Sequence, residues 1–353
     1  MAEATELMNE ATGLTFEELE HWMGEHQIPR YRARQVWHWM YRKTVREWDA
    51  MRNLSAELRA QLAGEFRLRP AECRALEGIS GETRKMLVGL ADGEAVEAVL
   101  IPAADRVTVC VSSQVGCRFR CAFCASGQMG VSRNLTPGEM VGEVLLAIDQ
   151  IGAHPDNVVF MGMGEPLDNY DALLKALRIL NDGEGLAIGA RRMTISTCGW
   201  VPGIERLKAE GLQVELSVSL HAPDDDLRSR LMPVNRRYPL ASLMAACGDY
   251  SRVTGRIVTF EYTLIRGLND RPDQAQAVVR WVRSIGGRVN LIPLSPVPEF
   301  SGEAPTPAAV EAFRTVLERG GINTTVRRSK GSEISAACGQ LRRRVCGARG
   351  DAP

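Results

Sequence analysis

The stretch CRFRCAFC (117–124) places three cysteines at the spacing C-x3-C-x2-C in the middle of the chain. Structural zinc sites and most iron–sulfur clusters use four ligands, so three close thiols leave one coordination position open unless a distant cysteine fills it. Catalysis requires such an open position. The spacing therefore indicates either a structural zinc site completed by Cys110 or Cys338, or a catalytic cluster with an open iron.

The composition is that of a soluble globular protein. The chain has 353 residues, of which 45% are hydrophobic and 24% charged. The acidic stretch MAEATELMNEATG (1–13) lacks the features of a secretory signal, and no apolar run is long enough to span a bilayer. We therefore expect a cytoplasmic protein without membrane contacts, in which nine cysteines serve metal binding or redox chemistry more than disulfides.

Positive charge is concentrated locally although the formal net charge is zero. Residues 26–46 hold six Arg or Lys and no acidic residue, and a second basic cluster lies near the C-terminus at Arg327, Arg328, Lys330 and Arg342 to Arg344. The first stretch predicts an amphipathic helix that buries Trp37 and Met40 and solvates its arginines. The same arginines could contact the phosphates of a folded RNA.

The apolar pattern predicts an α/β protein. Three helical stretches occupy residues 14–66, with Asn53 as a candidate cap for the third, and short β-like runs follow in residues 71–101. From Val107 onward, apolar strands alternate with helices, one of which starts with a capping box at Thr136. This alternation predicts parallel βα units in a barrel or a doubly wound sheet, with functional residues at the carboxyl ends of the strands.

Distinct motifs follow the predicted strands in order. The cysteine stretch follows the first strand, GMGEP the second and STCG the third, while SLH ends the fourth strand and Asn290 lies in the sixth. These motifs supply groups for a small-molecule ligand beside an open iron, which a structural zinc site would leave unexplained.

The motifs resemble those of radical S-adenosylmethionine (SAM) enzymes, in which an aromatic residue, here Phe123, precedes the last cysteine. The sequence is similar to their RNA adenine methyltransferase branch, the RlmN/Cfr family, over nearly its whole length. The matching stretches are CVSSQVGC (110–117), GMGEPLDN (162–169), STCG (196–199), SLHAP (219–223), NLIP (290–293) and AACGQL (336–341). The sequence departs from the family pattern in KGSEIS before AACGQL and in the cysteine of STCG.

The resemblance implies a partial (β/α)6 radical-SAM barrel with a small N-terminal helical accessory domain. We expect an RNA-binding accessory domain at 1–70, a β linker at 71–101, the radical SAM core at 102–346 and a C-terminal tail at 347–353.

The resemblance also implies two cofactors. A [4Fe-4S] cluster is held by Cys117, Cys121 and Cys124, and its fourth iron binds the amino and carboxylate groups of SAM, of which two are used per turnover. The implied SAM-binding residues are Gly164, Glu165, Ser196, Ser219, Leu220, His221 and Asn290.

Three further residues are implied to act on the substrate. The resemblance makes Cys338 the carrier of a methyl group, Cys110 its resolving partner in a disulfide, and Glu97 a carboxylate facing the adenine. Read without the resemblance, both cysteines could be buried structural thiols and Glu97 a solvent-facing residue. The remaining cysteines are interpreted as structural: Cys73, Cys198, Cys247 and Cys346.

The implied activity is methylation of C2 of an adenosine in 23S rRNA near the peptidyl-transferase centre, and of the adenosine beside the tRNA anticodon. An electron donor such as flavodoxin or ferredoxin would serve a monomeric enzyme. GMGEPLDN is more similar to the C2 group, yet C8 methylation of the same rRNA adenosine stays open. A zinc-binding RNA module without catalytic activity is the alternative from another class.

Overall fold

The computed structural model describes residues 9–295, 300–327 and 341–342. Within these ranges the helices are α1 Phe16–Glu25, α2 Tyr31–Tyr41, α3 Ala56–Glu65, α4 Ala125–Gln128, α5 Pro137–Ile151, α6 Tyr170–Asn181, α7 Val201–Leu207, α8 Asp225–Leu231, α9 Leu240–Thr254, α10 Pro272–Arg283 and α11 Pro307–Arg319. The strands are β1 Asn9–Glu10, β2 Phe66–Arg67, β3 Ala71–Glu77, β4 Arg84–Leu90, β5 Ala95–Pro102, β6 Val107–Cys110, β7 Gln114–Gly116, β8 Val131–Asn134, β9 Asn157–Phe160, β10 Met193–Thr197, β11 Glu215–Ser219, β12 Thr259–Leu264, β13 Arg288–Pro293 and β14 Thr324–Val326. None of the helices in these ranges is long and apolar enough to cross a membrane.

The core is a parallel sheet whose strands lie side by side in chain order. β6 is followed by β9, β10, β11, β12, β13 and β14, and each neighbouring pair runs parallel. Helices α5 to α11 lie in the connections between these strands. A doubly wound sheet reverses its strand order at a switch point, whereas this order never reverses. The fold is therefore the expected partial (β/α)6 barrel, and the doubly wound alternative is wrong.

Residues 71–101, expected to form a β linker, extend this sheet. β3, β4 and β5 pair with one another in antiparallel fashion, and β5 pairs with β6, so ten strands form one sheet. In the β5–β6 pair Val99 lies opposite Cys110. Because residues two apart on a strand share a face, Glu97 lies on the same face of the sheet as Cys110.

The two faces of the sheet differ in polarity. One face contributes Val109, Phe160, Ile195 and similar side chains to the hydrophobic core. The opposite face carries the polar side chains of the strands from β10 onward, namely Ser196, Ser217, Glu261, Asn290 and Thr325. The period of two in each strand thus separates the residues that hold the fold together from those that can meet a ligand.

The predicted helix starts are confirmed at one position and wrong at another. α5 begins with the capping box of Thr136 and Glu139. α3 begins after Ser55, whose Oγ accepts a hydrogen bond from the backbone N–H of Leu58 at 3.3 Å. Asn53, the predicted cap, instead accepts a hydrogen bond from the indole N–H of Trp39. Ser55 is the cap because it directly precedes the first helical residue, which places its Oγ within reach of the N3 amide.

The N-terminal helices pack onto the barrel through a shared core. Leu19 and Trp37 belong to the same buried cluster as the barrel strands, and the indole N–H of Trp37 donates to Asp182 Oδ1 at 2.9 Å. Trp37 and Met40 are each 1% exposed, which confirms that α2 buries both side chains. The accessory helices and the barrel therefore stabilise each other.

Candidate active site

The three clustered cysteines lie on a loop between the antiparallel strands β7 and β8. The backbone N–H of Cys117 donates to the carbonyl of Gly130 at 2.8 Å and closes the base of the loop. Gly116 has a φ of 85°, and a Cβ at this position would overlap the carbonyl oxygen of Gly130. Glycine is therefore required where the loop closes.

The cysteine loop is fastened to helix α8 of the barrel. The backbone N–H of Ala122 donates to the carbonyl of Leu231 at 2.8 Å. Phe119 and Phe123 pack against the apolar cluster that includes Leu227 and Leu231. These contacts hold the loop beside the end of β11, where the SLH motif lies.

The thiols of the loop influence one another's ionisation. The pKa of Cys117 is raised to about 12, mainly by burial and in smaller part by the nearby charge of Cys124. Burial raises the pKa of Cys121 well above its usual value, with contributions from Cys124 and Cys117. Cys117 and Cys121 are therefore neutral thiols at pH 7 until a metal displaces their protons.

The donor set fits a [4Fe-4S] cluster. Among the residues described, no three His, Cys, Asp or Glu side chains converge as the ligands of a single ion would. Each cysteine of a cubane binds a different iron, so its ligands need not meet at one point. Ser126, two residues after Cys124, is 2% exposed, and its hydroxyl lacks a hydrogen-bond partner in the described ranges. Such a hydroxyl is suited to donate to a cluster sulfide or to a ligand beside it.

The GMGEP motif joins the ends of β9 and β10. Gly164 has a φ of 102°, and a Cβ there would lie 2.7 Å from the backbone nitrogen of Gln114. The backbone N–H of Glu165 donates to Gln114 Oε1 at 2.9 Å, and Glu165 Oε2 accepts from the backbone N–H of Cys198 at 2.6 Å. Burial raises the pKa of Glu165, while the hydrogen bond from Cys198 lowers it.

The SLH motif follows β11 and contacts the cysteine loop. Ser219 ends the strand, and Leu220 is completely buried. The backbone at His221 is left-handed, with a φ of 53°, and His221 Nδ1 accepts from the backbone N–H of Thr263 at 2.9 Å. Burial lowers the pKa of His221 to about 3, so the ring is neutral at pH 7 and carries its hydrogen on Nε2. The ring meets Phe123 edge to face at 4.9 Å between centroids.

Asn290 belongs to a polar row on the ligand-facing side of the sheet. Its Nδ2 donates to Glu261 Oε2 at 2.8 Å, and its Oδ1 accepts from Thr325 Oγ1 at 2.9 Å. Burial raises the pKa of Glu261, and the hydrogen bond from Asn290 lowers it. Ser196 lies on the same face in β10. Sequence reasoning missed Glu261, although a carboxylate inside the apolar run TFEYTL was a usable signal.

Arg228 is a second residue that sequence reasoning missed. Its side chain is completely buried, and Nη2 donates to the carbonyl oxygens of Cys198 and Ser219 at 2.9 Å each. It thereby joins the STCG and SLH motifs at the ends of β10 and β11. The segment DDLRSRL resembles an ordinary surface helix turn and contains no signal of this burial.

Cys110 and Glu97 lie on the face that meets the described C-terminal residues. Cys110 is 5% exposed and Glu97 is 2% exposed. Glu97 Oε2 lies 3.0 Å from Lys85 Nζ, and Glu97 Oε1 accepts from the backbone N–H of Arg342 at 2.7 Å. Leu341 is buried on the same side. Glu97 is therefore held in a buried ion pair, and its interpretation as a solvent-facing residue is wrong.

The remaining cysteines differ in environment. Cys247 is buried, and burial raises its pKa to about 12. Cys73 is half-buried, and burial also raises its pKa. The backbone of Cys198 contacts both Glu165 and Arg228. Cys338 and Cys346 lie outside the described residues.

Two family models match separate parts of the chain. The model of the radical SAM superfamily matches residues 111–280, which include the cysteine loop and most of the barrel. The model described as the ribosomal RNA large subunit methyltransferase N-terminal domain matches residues 10–68, which contain α1 to α3.

Similar proteins match almost the entire chain. A protein of Symbiobacterium thermophilum named "Probable dual-specificity RNA methyltransferase RlmN" is 48% identical, over 94% of this chain and 91% of its own. One of Pelobacter propionicus named "Dual-specificity RNA methyltransferase RlmN" is 44% identical over 99% of both chains. The crystal structure of a radical SAM methyltransferase from Sphaerobacter thermophilus is 48% identical, with a TM-score of 0.91 over 94% of this chain and 98% of that one. This chain therefore belongs to the RlmN family of radical SAM enzymes.

Proposed function

We propose that this protein methylates C2 of a specific adenosine in 23S rRNA at the peptidyl-transferase centre, and also the adenosine next to the tRNA anticodon. Relatives that match almost its whole length are named dual-specificity RNA methyltransferases. The observation that carries the proposal is that Cys110 and Glu97 share one face of the sheet, against which Leu341 and Arg342 pack. Cleaving SAM alone would need no such surface, whereas a substrate base held for covalent chemistry would.

The cysteine loop and the strand ends would hold the cofactors. In this proposal Cys117, Cys121 and Cys124 would bind the [4Fe-4S] cluster, and residues at the strand ends and on the polar face would bind SAM. When bound and reduced by one electron, this pair supplies a 5′-deoxyadenosyl radical, which abstracts hydrogen from otherwise unreactive carbon. The proposed contacts to SAM are made by Gly164, Glu165, Ser196, Ser219, Leu220, His221 and Asn290.

Several of these residues are already held in position by neighbouring groups. Gly164 leaves room where a side chain would collide with Gln114, and the carboxylate of Glu165 is fixed by the amide of Cys198. The neutral ring of His221 holds its Nε2 hydrogen ready to donate. A preformed site loses little conformational freedom when it binds its ligand.

Glu97 would orient the adenine. Its carboxylate can accept a hydrogen bond from the exocyclic amino group of the base, and the ammonium of Lys85, 3.0 Å from Oε2, holds the carboxylate in place. The base must leave its stack to reach this buried position. The backbone N–H of Arg342 donates to the same carboxylate in this structure. The base would therefore bind only after residues 341–342 move away from Glu97.

Cys338 and Cys110 would perform the covalent steps. Cys338 would take a methyl group from one SAM, with S-adenosylhomocysteine as the leaving group. The second SAM would supply the radical chemistry that joins this carbon to adenine, and the adduct would then lose the proton of the ring carbon and one electron, which would return to the oxidised cluster. The thiolate of Cys110 then attacks the sulfur of Cys338. A sulfur–sulfur bond forms, the sulfur–carbon bond breaks, and the released electron pair takes up a proton to complete the new methyl group. A dithiol reductant later supplies two electrons to the disulfide.

The RNA would also contact the accessory helices. Arg34, His38 and Arg42 line an open cleft between α2 and Gly183, where basic side chains can meet phosphates. We propose that the enzyme acts as a cytoplasmic monomer and takes electrons from a flavodoxin or ferredoxin.

Mass spectrometry of nucleosides tests the activity. We expect 2-methyladenosine in 23S rRNA and tRNA from cells that express the protein, and its absence from cells that lack it. A product of 8-methyladenosine would instead identify the C8 reaction. A colourless protein that shows no cluster absorbance after anaerobic reconstitution would favour the zinc-binding RNA module.

Substitution of Cys110 tests the covalent mechanism. Cys110→Ala should purify with covalently attached RNA that survives denaturation and disappears with nuclease. Cys338→Ala, which cannot accept the methyl group, should purify without RNA. A Cys110→Ala protein free of RNA, from cells in which the wild type methylates, would contradict the proposed roles.

A further inference from the structure

We propose that Arg228 is the buried counter-charge of the iron–sulfur cluster and raises its reduction potential. The inference rests on the proposed cluster site and adds a residue outside the cysteine motif. Arg228 acts here as a positioning and electrostatic residue, since its hydrogen bonds go to protein groups.

The first observation is the way Arg228 is bonded. Its guanidinium donates to the carbonyl oxygens of Cys198, Ser219 and Leu220 and to Oδ1 of Asn235, over distances of 2.8–3.2 Å. All of these acceptors are neutral. In the described ranges no carboxylate accepts a hydrogen bond from Arg228, and its side chain is completely buried.

A buried charge without an opposite charge in contact costs free energy. Four neutral oxygens reduce this cost but do not neutralise the charge. Asp225 lies one side chain further away, since Asn235 accepts from Arg228 and donates to Asp225 Oδ1. Three cysteine thiolates around a cubane carry a net negative charge. Cluster binding would therefore supply the missing counter-charge.

The second observation is the position of Arg228 relative to the cysteine loop. Its own helix, α8, provides the carbonyl of Leu231 that accepts the amide of Ala122, between two cysteines of the loop. Leu227, the neighbour of Arg228 in sequence, and Leu231 belong to the apolar cluster against which Cys121 packs.

The expected effect follows from the sign of the charge. Reduction adds one electron to the cluster, and a fixed positive charge stabilises the more negative reduced form. The other titratable or charged groups that act on Arg228 are Cys121, Cys198, His221, Asp225 and Cys247. Among these groups, only Arg228 carries a positive charge at pH 7, because burial keeps His221 neutral.

The test is a redox titration of the anaerobically reconstituted protein, monitored by the spectrum of the reduced cluster in the absence of SAM. Arg228→Gln should lower the equilibrium constant for one-electron reduction about tenfold, or about 59 mV. The matched control is Arg69→Gln, because Arg69 is also largely buried and donates to the carbonyls of Thr44 and Val45. The control should lower the melting temperature and leave the potential unchanged.

Arg228→Lys provides an independent test if the glutamine variant does not fold. A buried lysine loses its proton far more readily than an arginine, so the charge at this position becomes dependent on pH. The potential of the lysine variant should be near that of the wild type at low pH and fall more steeply as the pH rises.

A purely structural role predicts a different pattern. All three substitutions would then lower stability. The equilibrium constant for one-electron reduction would change less than twofold, and its pH dependence would match that of the wild type. That result would overturn the inference. Failure of the wild type to bind a cluster would instead contradict the proposed function.

Discussion

Replacing Lys85 by methionine should lower the free energy of unfolding strongly, because it removes the ammonium of a buried ion pair. Lys85 Nζ lies 3.0 Å from Glu97 Oε2, and the two side chains are 0% and 2% exposed. Lys85→Met keeps most of the side-chain volume but leaves the carboxylate of Glu97 without this cation. Breaking one side of a buried ion pair typically costs about 3–5 kcal/mol. We expect a loss in this range in the free energy of unfolding.

A double-mutant cycle separates the ion pair from the packing. Glu97→Gln keeps the shape of the side chain and its ability to accept the amide of Arg342, but leaves the lysine without this carboxylate. In Lys85→Met/Glu97→Gln both charges are absent, so the double variant should be more stable than the sum of the single losses implies. Coupling energies for contacting groups reach about 0.5–3 kcal/mol, and we expect the upper part of that range.

The assay is urea denaturation of the cluster-free protein under reducing conditions, followed by circular dichroism. Arg84→Met is the control, because it also replaces a long cationic side chain on β4 by methionine. Arg84 is only half-buried and donates to a neutral carbonyl, that of Gln150, so its loss should cost less. A loss below about 1 kcal/mol in Lys85→Met, or strictly additive losses in the cycle, would refute the buried ion pair as a stabilising contact.

Three other substitutions test the site. Cys121→Ser should abolish cluster absorbance after reconstitution while circular dichroism stays unchanged, because the barrel core does not depend on this thiol; retained absorbance would exclude it as a ligand. Gly164→Ala should cost at least about 2 kcal/mol in urea denaturation, because the new Cβ collides with the amide of Gln114. Gly211→Ala, with a φ of 69° and open space, should cost less, and equal losses would argue against the collision. Burial lowers the pKa of His221 to about 3 in the folded protein, whereas in the unfolded chain the ring binds a proton below about pH 6.5. Protonation of the unfolded chain therefore lowers the free energy of unfolding as the pH falls from about 6.5 towards 3. His221→Asn should therefore lose about 2 kcal/mol less than the wild type between pH 6.5 and pH 5, and parallel losses would show that the ring is not buried neutral.

The cysteine loop and the alternation of strands and helices could be predicted from sequence because both are local. The spacing C-x3-C-x2-C lies within eight residues, and the capping box at Thr136 is complete within four. The cap of α3 was predicted wrongly as Asn53, because only the structure shows that the hydroxyl of Ser55 reaches the helix amides. A period of two or of 3.6 residues identifies an element without any knowledge of its neighbours.

Only the tertiary structure decided how distant segments meet. The same alternation allows a barrel or a doubly wound sheet, and the strand order that separates them depends on contacts between residues far apart in the chain. The register that sets Val99 opposite Cys110 brings Glu97 to the cysteine's face, and a shift of one residue would send it to the other side. Arg228 resembles a surface residue in sequence, and it is buried because two strand ends present their carbonyl oxygens to it. Burial and register arise from long-range packing, which no local pattern contains.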